Sequence, residues 1–152
     1  MAIKLDKRKK PYLYKECGLK SVYLVGVYES TDGEVFIPNV NQLHKLLAQI
    51  VASQRDLLTP DQFRFLRTYT GLSRNDFGRL VDKSRETITR YETGAYPIPK
   101  SMDTLLRFLA FRDLGVDYEL EDLFEAEPSR HKSAKVYLTP NKNDEWSQRV
   151  AF

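Results

Sequence analysis

The stretch Ser73-Arg74-Asn75-Asp76-Phe77-Gly78-Arg79-Leu80-Val81-Asp82-Lys83-Ser84-Arg85-Glu86-Thr87-Ile88-Thr89-Arg90-Tyr91-Glu92-Thr93-Gly94 decides how the chain folds. Ser73 and Ser84 each stand where a hydroxyl can accept a hydrogen bond from a backbone N–H that a starting helix leaves unpaired. After Ser73, Asp76 takes the third helical position and Phe77, Leu80 and Val81 form an inner face. After Ser84, Ile88 and Tyr91 point inward and Gly94 provides the stop. Only Asp82-Lys83 lies between the two helices, and so short a connection forces a sharp angle. This is the spacing of a helix-turn-helix, although an ordinary small helical bundle carries similar stripes.

Upstream, Thr59-Pro60-Asp61-Gln62 combines an N-cap, a proline at the first helical position and a capping glutamine, with Phe63 and Leu66 opening an apolar stripe and Gly71 ending the helix. Downstream, a fourth helix starts near Pro99 or Lys100 and carries Met102, Leu105, Leu106, Leu109 and Ala110 inward. Further toward the N-terminus, the β-branched and aromatic run Val22 to Tyr28, the turn Thr31-Asp32-Gly33 and the run Glu34 to Ile37 predict a hairpin over about 22–37, closed by Pro38. Asn39 and Gln42 resemble a capping box for a helix over about 41–54, in which Leu43, Leu46, Leu47, Ile50 and Val51 share one face and His44 sits beside it. The expected fold is mainly α with a small N-terminal β-hairpin region. Residues 1–58 form an α+β region, 59–112 the helical bundle, and 113–152 an acidic segment and tail.

Composition narrows the functions. The chain has 152 residues, 41% hydrophobic and 30% charged. No apolar run approaches the roughly 18 residues of a membrane span, and the basic start from Met1 to Lys10 lacks the apolar stretch of a secretory signal. A cytoplasmic location is expected. Cys17, the single cysteine, and the separated His44 and His131 supply neither a disulfide nor the paired spacing of a zinc site, so no metal or other cofactor is expected. No paired carboxylate, Ser/His/Asp or Cys/His arrangement or glycine-rich phosphate loop appears, which argues against an enzyme with catalytic residues.

Net charge is only +3, but its distribution is uneven: +5 over residues 1–20, −2 over 21–58, +4 over 59–112, −7 over 113–127 and +3 over 128–152. Such sign asymmetry accompanies an anionic partner. The acidic run should face away from any phosphate, toward solvent or a basic partner. The tail, with Lys135-Val136-Tyr137-Leu138 and the lone Trp146, reads either as a short strand with an anchor or as a disordered end.

The string Gly71-Leu72-Ser73 through Phe77-Gly78 to Ser84-Arg85-Glu86-Thr87-Ile88-Thr89-Arg90-Tyr91-Glu92-Thr93-Gly94 resembles the lambda-repressor-like, or XRE-type, helix-turn-helix family over about residues 59–112. A recognition helix meets double-stranded DNA with the exposed positions after its cap, which here are Arg85, Glu86 and Thr89 or Arg90. Arginine can donate two hydrogen bonds to a guanine edge and glutamate can accept from a cytosine amino group. The resemblance assigns base reading to Arg85, Glu86 and Arg90. Phosphate contacts fall to Lys83, Ser84 and Thr87 around the helix start, where unpaired N–H groups favour an anion. The family carries glutamine where this chain has Arg74, which retains a donor and adds charge. The loop Tyr96-Pro97-Ile98-Pro99-Lys100 brings Lys100 to the backbone by the same resemblance. Arg67 and Glu92 stand at the family positions of a partly buried ion pair and are architectural. One recognition helix reads only a few base pairs, so a homodimer on an inverted repeat is expected. Leu106, Leu109 and Phe111 of the fourth helix either meet the second copy or complete the core.

Tyr12-Leu13-Tyr14, Cys17-Gly18-Leu19, Val22-Tyr23-Leu24 and Ile37-Pro38 before Leu43-His44 resemble the N-terminal region of MqsA/YgiT-type antitoxins. In that family a zinc-held β domain holds a toxin and the helix-turn-helix represses the operon. The paired cysteines are absent here, so zinc is not carried over and Cys17 reads as a small packed side chain. The resemblance implies an autorepressing antitoxin-like regulator that offers residues about 12–58 to a toxin partner. The alternatives are a stand-alone or mobile-element regulator without a toxin, or a helical protein-interaction module that does not bind DNA.

Overall fold

The computed structural model describes residues 4–116 and 135–149. These contain seven strands and five helices: β1 (Leu5–Lys7), β2 (Tyr12–Tyr14), β3 (Val22–Leu24), β4 (Tyr28–Ser30), β5 (Val35–Phe36), α1 (Val40–Ser53), α2 (Pro60–Tyr69), α3 (Arg74–Val81), α4 (Arg85–Thr93), α5 (Lys100–Leu114), β6 (Val136–Pro140) and β7 (Trp146–Arg149). The mainly α expectation is thereby corrected to a mixed α/β fold with two sheets, alongside the helix-turn-helix. From residue 117 onward the acidic run lies outside the described residues, as does His131.

The chain divides into two compact units. The first contains both sheets, of strand order β1-β4-β5 and β2-β3-β6-β7, with the start of α1 to Leu46. The hairpin over 22–37 needs correction. Its first run is not one strand but two, β3 and β4, in different sheets. Gly26 separates them at φ +87, a left-handed conformation open to glycine, and a Cβ there would lie 3.2 Å from Lys7 Cε. Only β4 and β5 form the hairpin around Thr31-Asp32-Gly33.

In the larger sheet β3 pairs antiparallel with β2 and parallel with β6. Alternation then buries Val22, Leu24 and Leu138 completely. The rings of Tyr23 and Tyr137, cross-strand partners, stack with centroids 5.3 Å apart. The tail is therefore structural: Trp146 is buried and its indole Nε1 donates to the Pro38 carbonyl at 2.7 Å. The capping box expected at Asn39 and Gln42 is replaced by long-range contacts. Gln42 exchanges two hydrogen bonds with the backbone of Trp146, and the Asn39 amide donates to the Asp144 carbonyl. The Tyr14 hydroxyl and His44 Nε2 form a hydrogen bond, so His44 is a packed partner of β2.

The second unit comprises Glu16–Gly18, the remainder of α1 and helices α2 to α5. Thr59 and Gln62 make a reciprocal capping box at α2 with Pro60 at the start. Phe63 lies at the centre of the core, edge-on to Phe77 at 5.6 Å and to Tyr91 at 6.2 Å. Leu80, expected inside, is 59% exposed. The inward face of α3 runs through Phe77, Gly78 and Val81, and at about 100° per residue Leu80 falls to its side. Leu106, Leu109 and Phe111 are all buried within this unit, which resolves them as core residues.

One polar arrangement in this core had no counterpart in the hydrophobic pattern. Arg107 is 1% exposed; its Nε donates to Asp103 Oδ1 at 2.8 Å, and its Nη groups reach the carbonyls of Ala52, Gln54 and Asp56. Asp103 also accepts from the Leu58 amide at 2.6 Å. The arginine thus satisfies carbonyls left open where α1 ends, and the pair fastens residues 52–58 to α5.

Candidate nucleic-acid interface

The turn between α3 and α4 is built on two backbone features. Asp82 ends α3 in a left-handed conformation at φ 53, and the Lys83 amide returns to the Gly78 carbonyl at 2.8 Å. A Cβ on Gly78 would lie 2.4 Å from the Lys83 carbonyl oxygen, so the turn can close only over glycine. Helix α4 then begins at Ser84, whose Oγ accepts from the Thr87 amide at 3.2 Å and pairs with the Thr87 hydroxyl at 3.0 Å. Ile88, Tyr91 and Glu92 are the buried positions of α4, fixing which side chains face outward.

Lys83, Ser84, Arg85, Glu86 and Arg90 are exposed, and Thr87 and Thr89 are half-buried. Among the described residues Arg85, Glu86 and Arg90 take part in no ion pair, so their hydrogen-bonding groups are not consumed in mutual pairing. Thr89 is different: its hydroxyl donates back to the Arg85 carbonyl at 3.0 Å. Arg90 lies over the Tyr96 ring, its guanidinium carbon 5.1 Å from the centroid, and the Tyr96 amide donates to the Arg90 carbonyl at 3.1 Å. By sequence, Tyr96 belongs only to a loop expected to contact the DNA backbone. The tyrosine six residues beyond the arginine, across the Gly94 cap, is the signal that could have exposed this stack.

Arg67 and Glu92 meet through Arg67 Nε and Glu92 Oε1, with a second bond from Nη2 to Oε2 at 3.3 Å. Arg67 Nη1 also donates to the Leu72 carbonyl at 2.8 Å, tying α2 to the loop before α3. Arg74, assigned to phosphate by its place after the α3 cap, donates its Nε to Glu92 Oε2 at 2.8 Å. One buried carboxylate thus holds two guanidinium groups, and the cluster keeps one net positive charge. The half-buried Arg74 spends one face on Glu92, while its Nη groups form no hydrogen bond among the described residues. Lys100 lies exposed at the start of α5.

The Tyr69 phenol at the end of α2 is pushed above its ordinary pKa by burial and, second, by the Asp113 carboxylate, so it carries no charge at neutral pH. Cys17 is fully buried, and no group of three metal-ligating side chains comes together among the described residues. No helix among the described residues is long and apolar enough to cross a membrane.

Residues 61–124 match the family model described as a helix-turn-helix domain. The match covers less than half of the chain and contains all of α3, α4 and α5. No curated protein and no solved structure matches the chain. The chain therefore carries a helix-turn-helix domain, the feature of a DNA-binding regulator.

Proposed function

We propose that the protein is a sequence-specific double-stranded-DNA-binding transcriptional regulator of the XRE type, with α4 as its recognition helix. One observation carries this reading: behind a glycine-closed turn, α4 presents Arg85, Glu86 and Arg90 outward, in no ion pair among the described residues, on a helix whose other face is locked into the core. Arg85, Glu86 and Arg90 read base edges, with Thr89 in a lesser role because its hydroxyl is bonded to its own helix. Lys83, Ser84, Thr87, Arg74 and Lys100 hold phosphates and set the register. The protein is not an enzyme and acts in the cytoplasm without a cofactor.

In its finer form the reading is an autorepressing antitoxin-like protein, a homodimer on an inverted repeat, with residues about 12–58 held by a toxin. Leu106, Leu109 and Phe111 are unavailable to a second copy because they are buried. Phe108, 46% exposed on the same helix, is the apolar contact α5 offers instead. Footprinting on the protein's own promoter tests the regulator: a protected inverted repeat is expected, lost in Arg85→Ala/Arg90→Ala. Protection that survives the double substitution overturns the recognition assignment. Co-purification with the product of the adjacent gene tests the antitoxin form, and full operator binding with no such partner leaves a stand-alone regulator.

A further inference from the structure

The +5 charge at the N-terminus plays no part in the helix-turn-helix reading. It falls around β1, where Lys4 just before the strand, Lys7 at its end, and Lys9 and Lys10 beyond it are exposed. β1 is an edge strand of its sheet, paired only with β4. Lys7, Arg8, Lys9 and Lys10 line an open groove together with Ser30 and Glu29. Among the described residues, Asp6 and Glu29 are the carboxylates that line the groove, so cations outnumber anions there four to two.

Arg8 is fixed rather than loose. Its guanidinium carbon lies 5.4 Å from the centroid of the Tyr12 ring, its Nε donates to the Lys10 carbonyl at 3.2 Å, and its Nη1 lies 4.0 Å from Glu29 Oε2. Holding one guanidinium from three sides lowers the entropy lost when it meets an anion. Lys7, Tyr28 and Phe36 occupy one cross-strand row, and both rings are more than one-third exposed. Side chains in such a row share a sheet face. Lys7 thus shares its face with two exposed rings, and the basic run Lys7–Lys10 supplies the charge that suits a phosphate backbone.

We propose that the β1 edge with its Lys7–Lys10 groove is a second nucleic-acid-binding surface, which grips the phosphodiester backbone of duplex DNA without reading its sequence. It takes from the proposed function only that duplex DNA is the polyanion at hand; it does not require α4 to read bases. Backbone lysines act through counterion release, so their mark is the salt dependence of affinity rather than sequence preference.

The test uses the full chain, a short duplex carrying its promoter site and a scrambled duplex, each titrated over a range of salt. Lys7→Gln/Lys9→Gln/Lys10→Gln should weaken binding to both duplexes and flatten the slope of log K against log salt by about 2 to 3, at about 0.9 per phosphate contact. Its preference for the promoter duplex should persist. Arg85→Ala/Arg90→Ala should abolish that preference while the Lys7–Lys10 contribution to the slope on scrambled DNA remains. A wild-type protein without preference overturns the recognition reading and leaves the slope measurement intact. An unchanged slope in the triple variant overturns the present proposal. So does a variant whose only change is self-association, the result expected if these lysines merely guard a sheet edge. Emission from the buried Trp146 verifies that the variant is folded.

Discussion

Glu92 shows how one residue can serve two purposes. Its carboxylate is 1% exposed and accepts from both Arg67 and Arg74, so it anchors the end of α4 to α2 while orienting a cation at the start of α3. Glu92→Gln removes the charge that offsets two guanidinium groups and should cost about 3 to 5 kcal/mol in a denaturant melt. Arg74→Ala keeps the Arg67 pair and should be milder for stability. It should weaken binding alike on every DNA sequence and reduce the salt slope by about one phosphate contact. Arg85 and Arg90 should behave differently, since the proposed function gives each a base edge to read. Alanine at either should cost about 1 to 3 kcal/mol at one operator position, measured by competition with single-base variants, and relax specificity there. For Arg90 the Tyr96 stack adds a condition: Tyr96→Phe preserves the ring and the discrimination, while Tyr96→Ala diminishes it.

Among the elements, the α3–turn–α4 segment was the most legible, because each of its signals is local. A serine cap, a two-residue connection and an inward Ile/Tyr pair are all satisfied within a few residues, whatever else the chain does. Gly78→Ala should destabilise the domain by about 1 to 3 kcal/mol, the range for an overpacked contact, because its Cβ would collide with a backbone oxygen that cannot move without opening the turn. Thermal melting with and without DNA would measure this. The strands were less legible. Val22 to Tyr28 has the residue types of one strand, and only the positive φ of Gly26 and the different partners on either side divide it. Similarly, Asn39 and Gln42 have the right spacing for a cap, but their amides serve the β6–β7 connection and the first residue of β7, more than a hundred residues away. No local pattern encodes that choice.

On the scale of the whole chain, the polar and long-range contacts decide what the units contain. Arg107 stands in a leucine-rich helix and would pass for an exposed charge, yet it is buried on three carbonyls and Asp103. Asp103→Ala would strand it, at about 3 to 5 kcal/mol. The loss should appear as a lower midpoint of helical unfolding by circular dichroism. The tail builds half of the larger sheet in the first unit, so Leu138→Ala, which empties a fully buried site, should cost about 2 to 5 kcal/mol as read by Trp146 fluorescence.

The sequence by itself determined the helix-turn-helix, because caps, turn and apolar period act over distances shorter than one helix. It also determined which residues of α4 face outward, since burying Ile88 and Tyr91 leaves Arg85, Glu86 and Arg90 no other side. Only the tertiary structure decided the division of the hairpin run between two sheets, the recruitment of the tail beside β3, the burial of Leu106, Leu109 and Phe111, and the second guanidinium on Glu92. Each depends on partners far apart in the chain, and pairing across such distances is settled by the packing of all the elements together rather than by the preference of any one segment.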